Sequence, residues 1–370
     1  MFEAEDATPH RLLGVRLEAR PPGGGAGPPP RPSGPALEDA DAVKQAKAYL
    51  DSRAAAGAWS GAALIARGDD VLMSGAWGLA DRGKKTPNTP ATRFNVGSIG
   101  KMFTRAAIAQ LAEAGRLSLD DKLSRFLPDF PHADSITIAM LCAHRSGVGD
   151  FFNDAYDALD KAKLRHNHDY LPLIRDQALW FAPGTSQRYS NGGYVLLGEV
   201  IAKVSGEDYY DYLAKHVFGP AGMAATGAPV EGDGTTGLAR GYTTEGAASG
   251  ERDNVATRPA RGSAAGGSYS TLADLLAFDR ALRGAKLCGP GWSAWVTGGP
   301  EPKLGMVIPP RILSFGFAGG APGLNAEWSH EGDVVSIVLT NRDPETARPT
   351  VQGVQDIVRR MKPAAKRERG

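Results

Sequence analysis

The sequence predicts a mixed α/β (α+β) protein whose antiparallel sheet is assembled from the two ends of the chain. Pairs of apolar runs surround Gly68-Asp69-Asp70 and Glu331-Gly332-Asp333, a pattern typical of β-hairpins. Mostly helical and loop-like sequence separates the two hairpins, so strands and helices do not alternate as they do in parallel sheets. We therefore expect a sheet flanked by helices, a mostly helical lobe, and a functional site in the cleft between them.

Periodic apolar residues predict three long helices. In the first, Val43, Ala46, Tyr49 and Leu50 recur at helical spacing. The second, KMFTRAAIAQLAEAG, ends at Gly115, and the third runs through TVQGVQDIVRRM. The helices near the two chain ends are expected to cover one side of the sheet.

The proline- and glycine-rich run GGGAGPPPRPSGP marks the start of the expected domain. Such a composition cannot pack a core, so residues 1–35 are interpreted as a disordered or linker tail. The boundaries we expect are 36–362 for the domain, 36–95 with 262–362 for its α/β lobe, 96–261 for its helical lobe, and 363–370 for a basic tail.

Composition argues against several classes of function. The formal net charge is +1 without a long block of like charge, so neither a nucleic-acid partner nor a membrane surface is expected. Apolar runs are too short for a membrane span. No nucleotide-binding glycine motif occurs, and no cofactor or metal is expected. Cys142 and Cys288 are interpreted as buried free thiols, with one bridge between them as the alternative.

The sequence leaves the compartment and the oligomeric state open. The first residues, MFEAEDATPH, lack the basic start and apolar core of a secretory signal. The protein would be periplasmic or secreted if a signal was removed from a precursor, and cytoplasmic otherwise.

Ser98 and Lys101, one helical turn apart, form the first candidate site. Ser98 lies where a loop becomes a helix, and the positive end of the helix favours an attacking oxygen there. Lys101 falls on the same face, partly buried, so its pKa should lie below that of a free lysine. A neutral amine beside a serine makes an activated nucleophile. The spacing alone also fits a helix-capping serine with a solvated lysine.

Tyr189 and Asn191, in the stretch YSN, form the second candidate element. The phenol can take part in proton transfer beside a serine, and the amide can hydrogen-bond a lysine or a substrate. A nearby lysine is expected to lower the pKa of Tyr189. Because the pair would then share a proton, the base is not assigned to Lys101 or Tyr189 alone.

Four stretches together resemble the penicillin-recognising serine hydrolases. FNVGSIGKMF resembles the family's nucleophile helix, and ITIAMLCAHRSGVGDF resembles its hLLtHtSGl box. YSNGGYVLLGEVI resembles the second motif, and SAAGGSYSTLADLLAF resembles the glycine-rich turn and the helix after it. They occur in the family's order, and the resemblance around them is taken to extend over most of 45–345. The relatives are class C β-lactamases, D-alanyl-D-alanine peptidases and family VIII carboxylesterases.

The resemblance implies a β-lactamase/transpeptidase-like fold with the active site between its lobes. It implies that Ser98 is the acyl-accepting nucleophile and that Lys101 and Tyr189 are its proton-transfer partners. It gives Asn191 a positioning role. His144, within the box, is expected to lie in a structural turn, with a triad base as the alternative.

The third element of the family is altered here. A strand reading Lys-Thr-Gly or His-x-Gly faces the serine in the family, and this chain has Phe317-Ala318-Gly319 in that place. An aromatic side chain cannot give a substrate carboxylate a charge-assisted hydrogen bond, and family VIII esterases often carry an aromatic there. The Gly320 N–H is expected to join the Ser98 N–H as an oxyanion hole. His330-Glu331-Gly332 also fits His-x-Gly, but it is expected to lie in the next hairpin, facing away.

We expect a serine hydrolase that forms an acyl-enzyme on Ser98, a carboxylesterase for small or medium acyl esters. Its partner is a small-molecule ester or amide. The first alternative is a β-lactamase or a D-Ala-D-Ala or D-amino-acid peptidase, which would need a cation such as Arg188 or Arg261. The second is a catalytically silent binding or scaffold protein. His166 and His168 are interpreted as a solvated loop rather than as metal ligands.

Overall fold

A five-stranded antiparallel sheet lies at the centre of the computed structural model, which describes residues 33–302 and 315–363. The strands are β1 (Gly61–Arg67), β2 (Asp70–Trp77), β3 (Phe315–Ala321), β4 (Leu324–Glu331) and β5 (Val334–Thr340), in the spatial order β2-β1-β5-β4-β3. Strand β1 pairs with β5 from Gly61↔Thr340 to Arg67↔Val334. The two chain ends therefore build one sheet, as the sequence predicts.

Both predicted hairpins form at glycine turns. Gly68 has a φ of 56° and Gly332 a φ of 66°, left-handed values that glycine adopts with little strain. Strand β5 is buried along its whole length, and β1 is buried except at Arg67. Central strands of this kind must be covered on both faces, which explains their continuous apolar sequence.

Five longer helices accompany the sheet in the described ranges. They are α1 (Asp39–Ala55), α2 (Gly100–Glu113), α3 (Asn191–Ser205), α4 (Leu272–Arg283) and α5 (Pro344–Arg359). Helices α1 and α5 cover one face, where Ala42, Ala46 and Leu50 of α1 share a core with Val354 of α5. Helices α2 and α4 join the larger core on the other face. The expected cover by the terminal helices is confirmed.

Shorter elements connect these helices and strands. The helical segments are Gly97–Ile99, Leu123–Arg125, Ala133–Ser135, Ile138–Cys142, Asp154–Ala158, Lys161–Lys163, Asn167–Tyr170, Pro172–Arg175, Tyr209–Tyr212, Leu213–Phe218, Gly219–Ala221 and Pro290–Val296. Short strand pairs are Leu79–Asp81 with Thr86–Pro87, Phe94–Asn95 with Tyr269–Ser270, and Tyr242–Thr243 with Arg252–Asp253.

The first and last described segments of the chain lie next to each other and share backbone hydrogen bonds. Leu37 N donates to Arg360 O at 2.8 Å, and Lys362 N donates to Leu37 O at 2.9 Å. Most of the expected N-terminal tail and nearly all of the basic tail lie outside the described residues, and the division into two lobes stays a prediction. Cys142 and Cys288 are buried free thiols, as expected. Among the described helices, none combines the length and the apolar character that a membrane crossing requires.

The edge strand β3 packs directly against the start of α2. A Cβ atom at Gly319 would lie 2.0 Å from Val96 O and 2.8 Å from Ser98 N. The glycine-rich turn approaches from another side, because a Cβ at Gly266 would lie 2.5 Å from Gly97 O. Only glycine leaves room for this approach, so backbone contacts fix the position of residue 98.

Replacement of Gly319 by alanine is expected to push β3 away from the segment that carries Ser98. We expect Gly319→Ala to destabilise the protein by about 1–3 kcal/mol and to slow the labelling of Ser98 by a fluorophosphonate, because overpacking shifts the backbone. Gly316→Ala is the control on the same strand, since its Cβ would have its nearest neighbour at 3.4 Å. Urea unfolding and labelling rates measure both effects. Equal behaviour of the two variants would contradict this role for Gly319.

Candidate active site

Ser98 lies in the helical turn Gly97–Ile99 that leads directly into α2. Gly97 has a φ of 50°, and its N–H donates to Asn95 Oδ1 at 2.9 Å, which turns the chain into the helix. The Tyr189 hydroxyl donates to Ser98 Oγ at 2.7 Å, and Lys101 Nζ lies 3.1 Å from the same oxygen. The structure thus brings the three predicted residues into one hydrogen-bonded group.

Lys101 is almost completely buried, with 2% of its surface exposed. Burial lowers its pKa to about 7, and the negative charge of Asp150 opposes this change. Nζ also donates to Asn191 Oδ1 at 2.7 Å and to Ala265 O at 2.5 Å. A neutral amine has two N–H donors and one lone pair. Since two carbonyl oxygens take the donors, the lone pair is directed at the Ser98 hydroxyl.

Asn191 is held in its orientation by Asp150, which the sequence analysis missed. Asp150 Oδ2 accepts from Asn191 Nδ2 at 2.8 Å and from Asn191 N at 3.2 Å. The amide oxygen is therefore left to face Lys101. Ser190 caps α3 by accepting from Gly193 N at 2.9 Å, which places Asn191 at the first helical position. A lone acidic residue directly after the SGVG turn was the signal available in the sequence.

Tyr189 keeps its proton. Burial raises the pKa of the Tyr189 hydroxyl well above its usual value, although the hydrogen bond to Ser98 acts in the opposite direction. The expectation that the neighbouring lysine lowers this pKa is therefore wrong. The physical reason is that removing a phenolate from water costs more than the hydrogen bond to Ser98 returns, and the charge of Asp150 also opposes ionisation of the hydroxyl.

His144 accepts hydrogen bonds from the backbone N–H groups of the residues before and after Tyr189, and so fixes the position of Tyr189. Its carbonyl oxygen accepts from Arg188 N at 3.0 Å, and its Nδ1 accepts from Ser190 N at 3.2 Å. The imidazole lies 4.5 Å from the Tyr189 ring, between ring centroids. Burial and then the charge of Lys101 lower the pKa of His144 to about 3. This geometry fits the expected structural turn, with a φ of 57° at His144.

A cavity of about 60 Å³ opens beside the nucleophile. Phe317, 7% exposed, lines it and packs on Trp328 with 5.6 Å between ring centroids. The lining residues are Ser98, Lys101, Met102, Arg105, Tyr189, Tyr194, Val296, Gly298, Phe317 and Ala318. An aromatic side chain thus lies where the resemblance implies a lysine or histidine on the strand. His330 lies in β4, buried against Phe315, and does not line this cavity.

Neither arginine proposed from the sequence lines this cavity. Arg188 lies over the ring of Trp180, at 4.0 Å, and Arg261 lies over the ring of Tyr210, at 3.5 Å. The arginine that does line the cavity is Arg105, which the sequence analysis missed. Its position four residues after Lys101 on the same helix, and hence on the same face, was the available signal.

The two histidines of RHNHDY stack on each other with 5.2 Å between the ring centroids of His166 and His168. Across residues 33–302 and 315–363, no group of three or more histidine, cysteine or acidic side chains is arranged to hold a metal ion. Both histidine side chains are exposed, which is consistent with the interpretation of this stretch as a solvated loop.

The fold and this serine–lysine–tyrosine arrangement define a serine hydrolase of the β-lactamase and penicillin-binding-protein type. Residues 44–355 match the Beta-lactamase family, and the chain belongs to that family. The match extends from within α1 to within α5, so it includes every residue of the cluster around Ser98.

Several proteins of related sequence or structure show this relationship. The putative penicillin-binding protein PbpX of Bacillus subtilis is 30% identical over 286 residues, 76% of this chain and 71% of PbpX. A D-aminopeptidase of Cereibacter sphaeroides is 32% identical over 165 residues, 44% of this chain and 32% of that protein. A crystal structure of a penicillin-binding protein from Bacillus halodurans has a TM-score of 0.73 at 27% identity, covering 85% of this chain and 98% of that one.

The acidic limb of the pH–rate profile should report Lys101. Its amine must be neutral to accept a proton, so labelling of Ser98 by a fluorophosphonate should accelerate as pH rises through about 7. The Asp150 charge raises the pKa of Lys101, so Asp150→Asn should move this limb to lower pH. The exposed Asp157→Asn is the control and should keep the wild-type limb. A limb that moves to higher pH in Asp150→Asn would contradict this assignment.

Loss of the His144 side chain is expected to slow the reaction without changing its pH dependence. His144→Ala leaves the buried Ser190 N–H without an acceptor and frees the Tyr189 ring, so the labelling rate should fall by about tenfold or more. Because His144 stays neutral above about pH 3, the acidic limb should not move. His168→Ala, in the exposed ring pair, is the control. Disappearance of the limb would instead identify His144 as the base.

Proposed function

We propose that this protein is a carboxylesterase that cleaves small or medium acyl esters through an acyl-enzyme on Ser98. The observation that carries the proposal is Phe317, which fills the cavity wall where the resemblance places a carboxylate-binding cation. A β-lactam or a peptide C-terminus would find no charge-assisted bond from this strand. An ester carbonyl needs only the nucleophile, the proton-transfer pair and an oxyanion site.

Acylation begins when the Ser98 hydroxyl passes its proton to Lys101 as Oγ attacks the ester carbonyl. The lone pair of Lys101, directed at Ser98 by the two carbonyl acceptors of Nζ, supports this assignment. Tyr189 donates a hydrogen bond to Oγ and keeps its proton, so it can relay a proton from Lys101 to the leaving alcohol. Both residues act as a coupled pair, because each contacts the same oxygen.

The developing oxyanion is placed between the N–H groups of Ser98 and Gly320. The register supports this role. Pro322-Gly323 forms a two-residue turn that closes on the pair Ala321↔Leu324. Hydrogen-bonded pairs alternate along an antiparallel ladder, so the Gly320 N–H points away from β4, towards the free edge of the sheet. Close packing of the neighbouring Gly319 against Ser98 N brings that edge to the nucleophile.

Deacylation follows the same route in reverse. A water molecule takes the position of the departed alcohol, gives its proton to the Lys101–Tyr189 pair, and attacks the acyl carbonyl. The acid is released when Ser98 recovers its proton. The four polar side chains of the cluster form one connected network, which supports proton transfer in both half-reactions.

A β-lactamase, or a peptidase or amidase acting on D-configured substrates, is the second candidate. The sequence similarity to a D-aminopeptidase and to a putative penicillin-binding protein favours it. The same nucleophile and proton-transfer pair would serve an amide. A silent scaffold is the weaker alternative, because a buried lysine beside an unused serine would cost desolvation energy without a chemical role.

The two candidates are separated by the relative turnover of an ester and a β-lactam. We expect hydrolysis of p-nitrophenyl butyrate by the wild type, little or no hydrolysis of a chromogenic cephalosporin, and at least roughly a thousandfold loss of esterase activity in Ser98→Ala. Ser52→Ala, an exposed serine on α1, is the matched control. Efficient cephalosporin turnover would favour the second candidate. If Ser98→Ala keeps the esterase activity, the proposed mechanism fails.

A further inference from the structure

We propose that Arg105 binds an anionic group of the substrate, so that the preferred ester carries a carboxylate on its acyl or its alcohol part. The inference rests on the proposed esterase function and names its substrate class. It comes from a cation that lines the same cavity as the strand without one.

Arg105 shares its helix face and its cavity with the nucleophile pair. It follows Lys101 by four residues on α2, so the two side chains project from the same side of the helix. Both line the cavity beside Ser98, together with Phe317. Arg105 therefore places a positive charge in the lining of the cavity into which Ser98 opens.

The guanidinium of Arg105 is fixed without using all of its donors. Nε donates to Val296 O at 3.1 Å, Nη1 to Cys142 O at 3.2 Å and Nη2 to Trp295 O at 2.6 Å. The guanidinium carbon also lies 4.1 Å from the centroid of the Trp295 ring. The Tyr194 hydroxyl is a further partner of this side chain. A guanidinium has five N–H groups, so these four partners leave one donor for a ligand. The group is preorganised, which reduces the entropic cost of binding an anion.

Arg105 has no carboxylate partner within the described ranges. Its side chain is half-buried, and ion pairs within 4.0 Å among described residues do not include it. Some other half-buried arginines have carboxylate partners: Arg67 with Asp39 and Asp333, Arg258 with Glu231, Arg283 with Asp279, and Arg342 with Glu251. Arg53, Arg93 and Arg261 are also half-buried and have none among the described residues, but Arg105 differs from these three because it lines the cavity beside Ser98. The segment 303–314 contains no acidic residue. A half-buried charge without a counter-ion is costly, and a substrate carboxylate would offset that cost.

The rest of the cavity determines what joins the anion to the reacting carbonyl. Met102, Tyr194, Val296 and Phe317 give it an aromatic and aliphatic lining. An apolar stem of a few carbon atoms or one ring, with a carboxylate at its far end, matches this distribution. Half-esters of dicarboxylic acids and acyl esters of hydroxybenzoate have this form. The missing strand cation excludes a carboxylate held from β3, and Arg105 would hold it from α2.

Two matched pairs of esters test the inference. The first is p-nitrophenyl hemiglutarate against p-nitrophenyl valerate, with the charge on the acyl part. The second is 4-(butyryloxy)benzoate against its methyl ester, with the charge on the alcohol part. We expect the wild type to prefer the charged member of one pair by about tenfold or more in kcat/KM, as a charge-assisted hydrogen bond would give. Added salt should weaken this preference.

Variants assign the preference to one side chain. Arg105→Gln should abolish it, and Arg105→Lys should keep part of it. Arg116→Gln removes the same charge from an exposed arginine near the end of α2, which bonds Val204 O, and should behave as the wild type. The salt dependence of the wild type remains decisive if Arg105→Gln fails to fold, because a preference that is insensitive to salt overturns the proposal.

Three other results would overturn the inference. The wild type would hydrolyse both members of each pair equally, or the preference would survive in Arg105→Gln, or Arg105→Gln would slow all four esters by the same factor. The last result would mean that Arg105 has only a structural role, holding the backbone carbonyl groups of Trp295 and Val296 in place. The neutral esters report the proposed function separately. If Ser98-dependent turnover of all four esters is absent, the proposed function fails and the inference fails with it.

Discussion

The structure of the site depends on keeping the amine of Lys101 out of water. An ammonium group in this position would lose its hydration shell. Burial therefore shifts the protonation equilibrium of Lys101 towards the neutral amine. Three parts of the chain meet at Nζ: the nucleophile helix α2, the start of α3 through Asn191, and the glycine-rich turn through the Ala265 carbonyl. Asn191 and the glycine-rich turn each supply an acceptor, and the Ser98 hydroxyl faces the lone pair, so the amine is dry but fully hydrogen-bonded. Chemistry at Ser98 follows from that balance.

The surrounding residues influence the protonation of Lys101 and the positions of Asn191 and Tyr189, but they do not take part in bond breaking. Asp150 is near enough to influence the charge of Lys101, and it fixes the amide of Asn191 at the same time. His144 is kept neutral and holds the backbone on both sides of Tyr189. The arrangement combines one group of low pKa with one of high pKa around a single hydroxyl, which is how proton donors and acceptors are separated in enzyme sites.

The sequence predicted the fold class and the pair Ser98 and Lys101 from short-range patterns, and the resemblance to the family's second motif added Tyr189 and Asn191, which lie far along the chain from Ser98. The hairpins follow from apolar runs with glycine turns, and the spacing of Ser98 and Lys101 is fixed by one helical turn. Asp150 and Arg105 were missed because their roles depend on neighbours more than thirty residues away along the chain. The pKa of Tyr189 was predicted in the wrong direction because burial, which dominates it, cannot be seen in a local motif. The roles of these residues and the domain boundaries stay predictions.

The pairing of β1 with β5 also has a consequence for how this protein is made. Residues 61–67 form β1 and residues 334–340 form β5, so the five-stranded sheet cannot form until almost all of these 370 residues have left the ribosome. Contacts of such sequence separation are associated with slow folding. During synthesis, β1 and β2 form a hairpin in which the edge of β1 is still unpaired. Such an edge can pair with another chain and cause aggregation. Premature termination before residue 334 would leave Ser98, Lys101 and Tyr189 in a chain that lacks β5, the strand joining the N-terminal hairpin to β4 and β3.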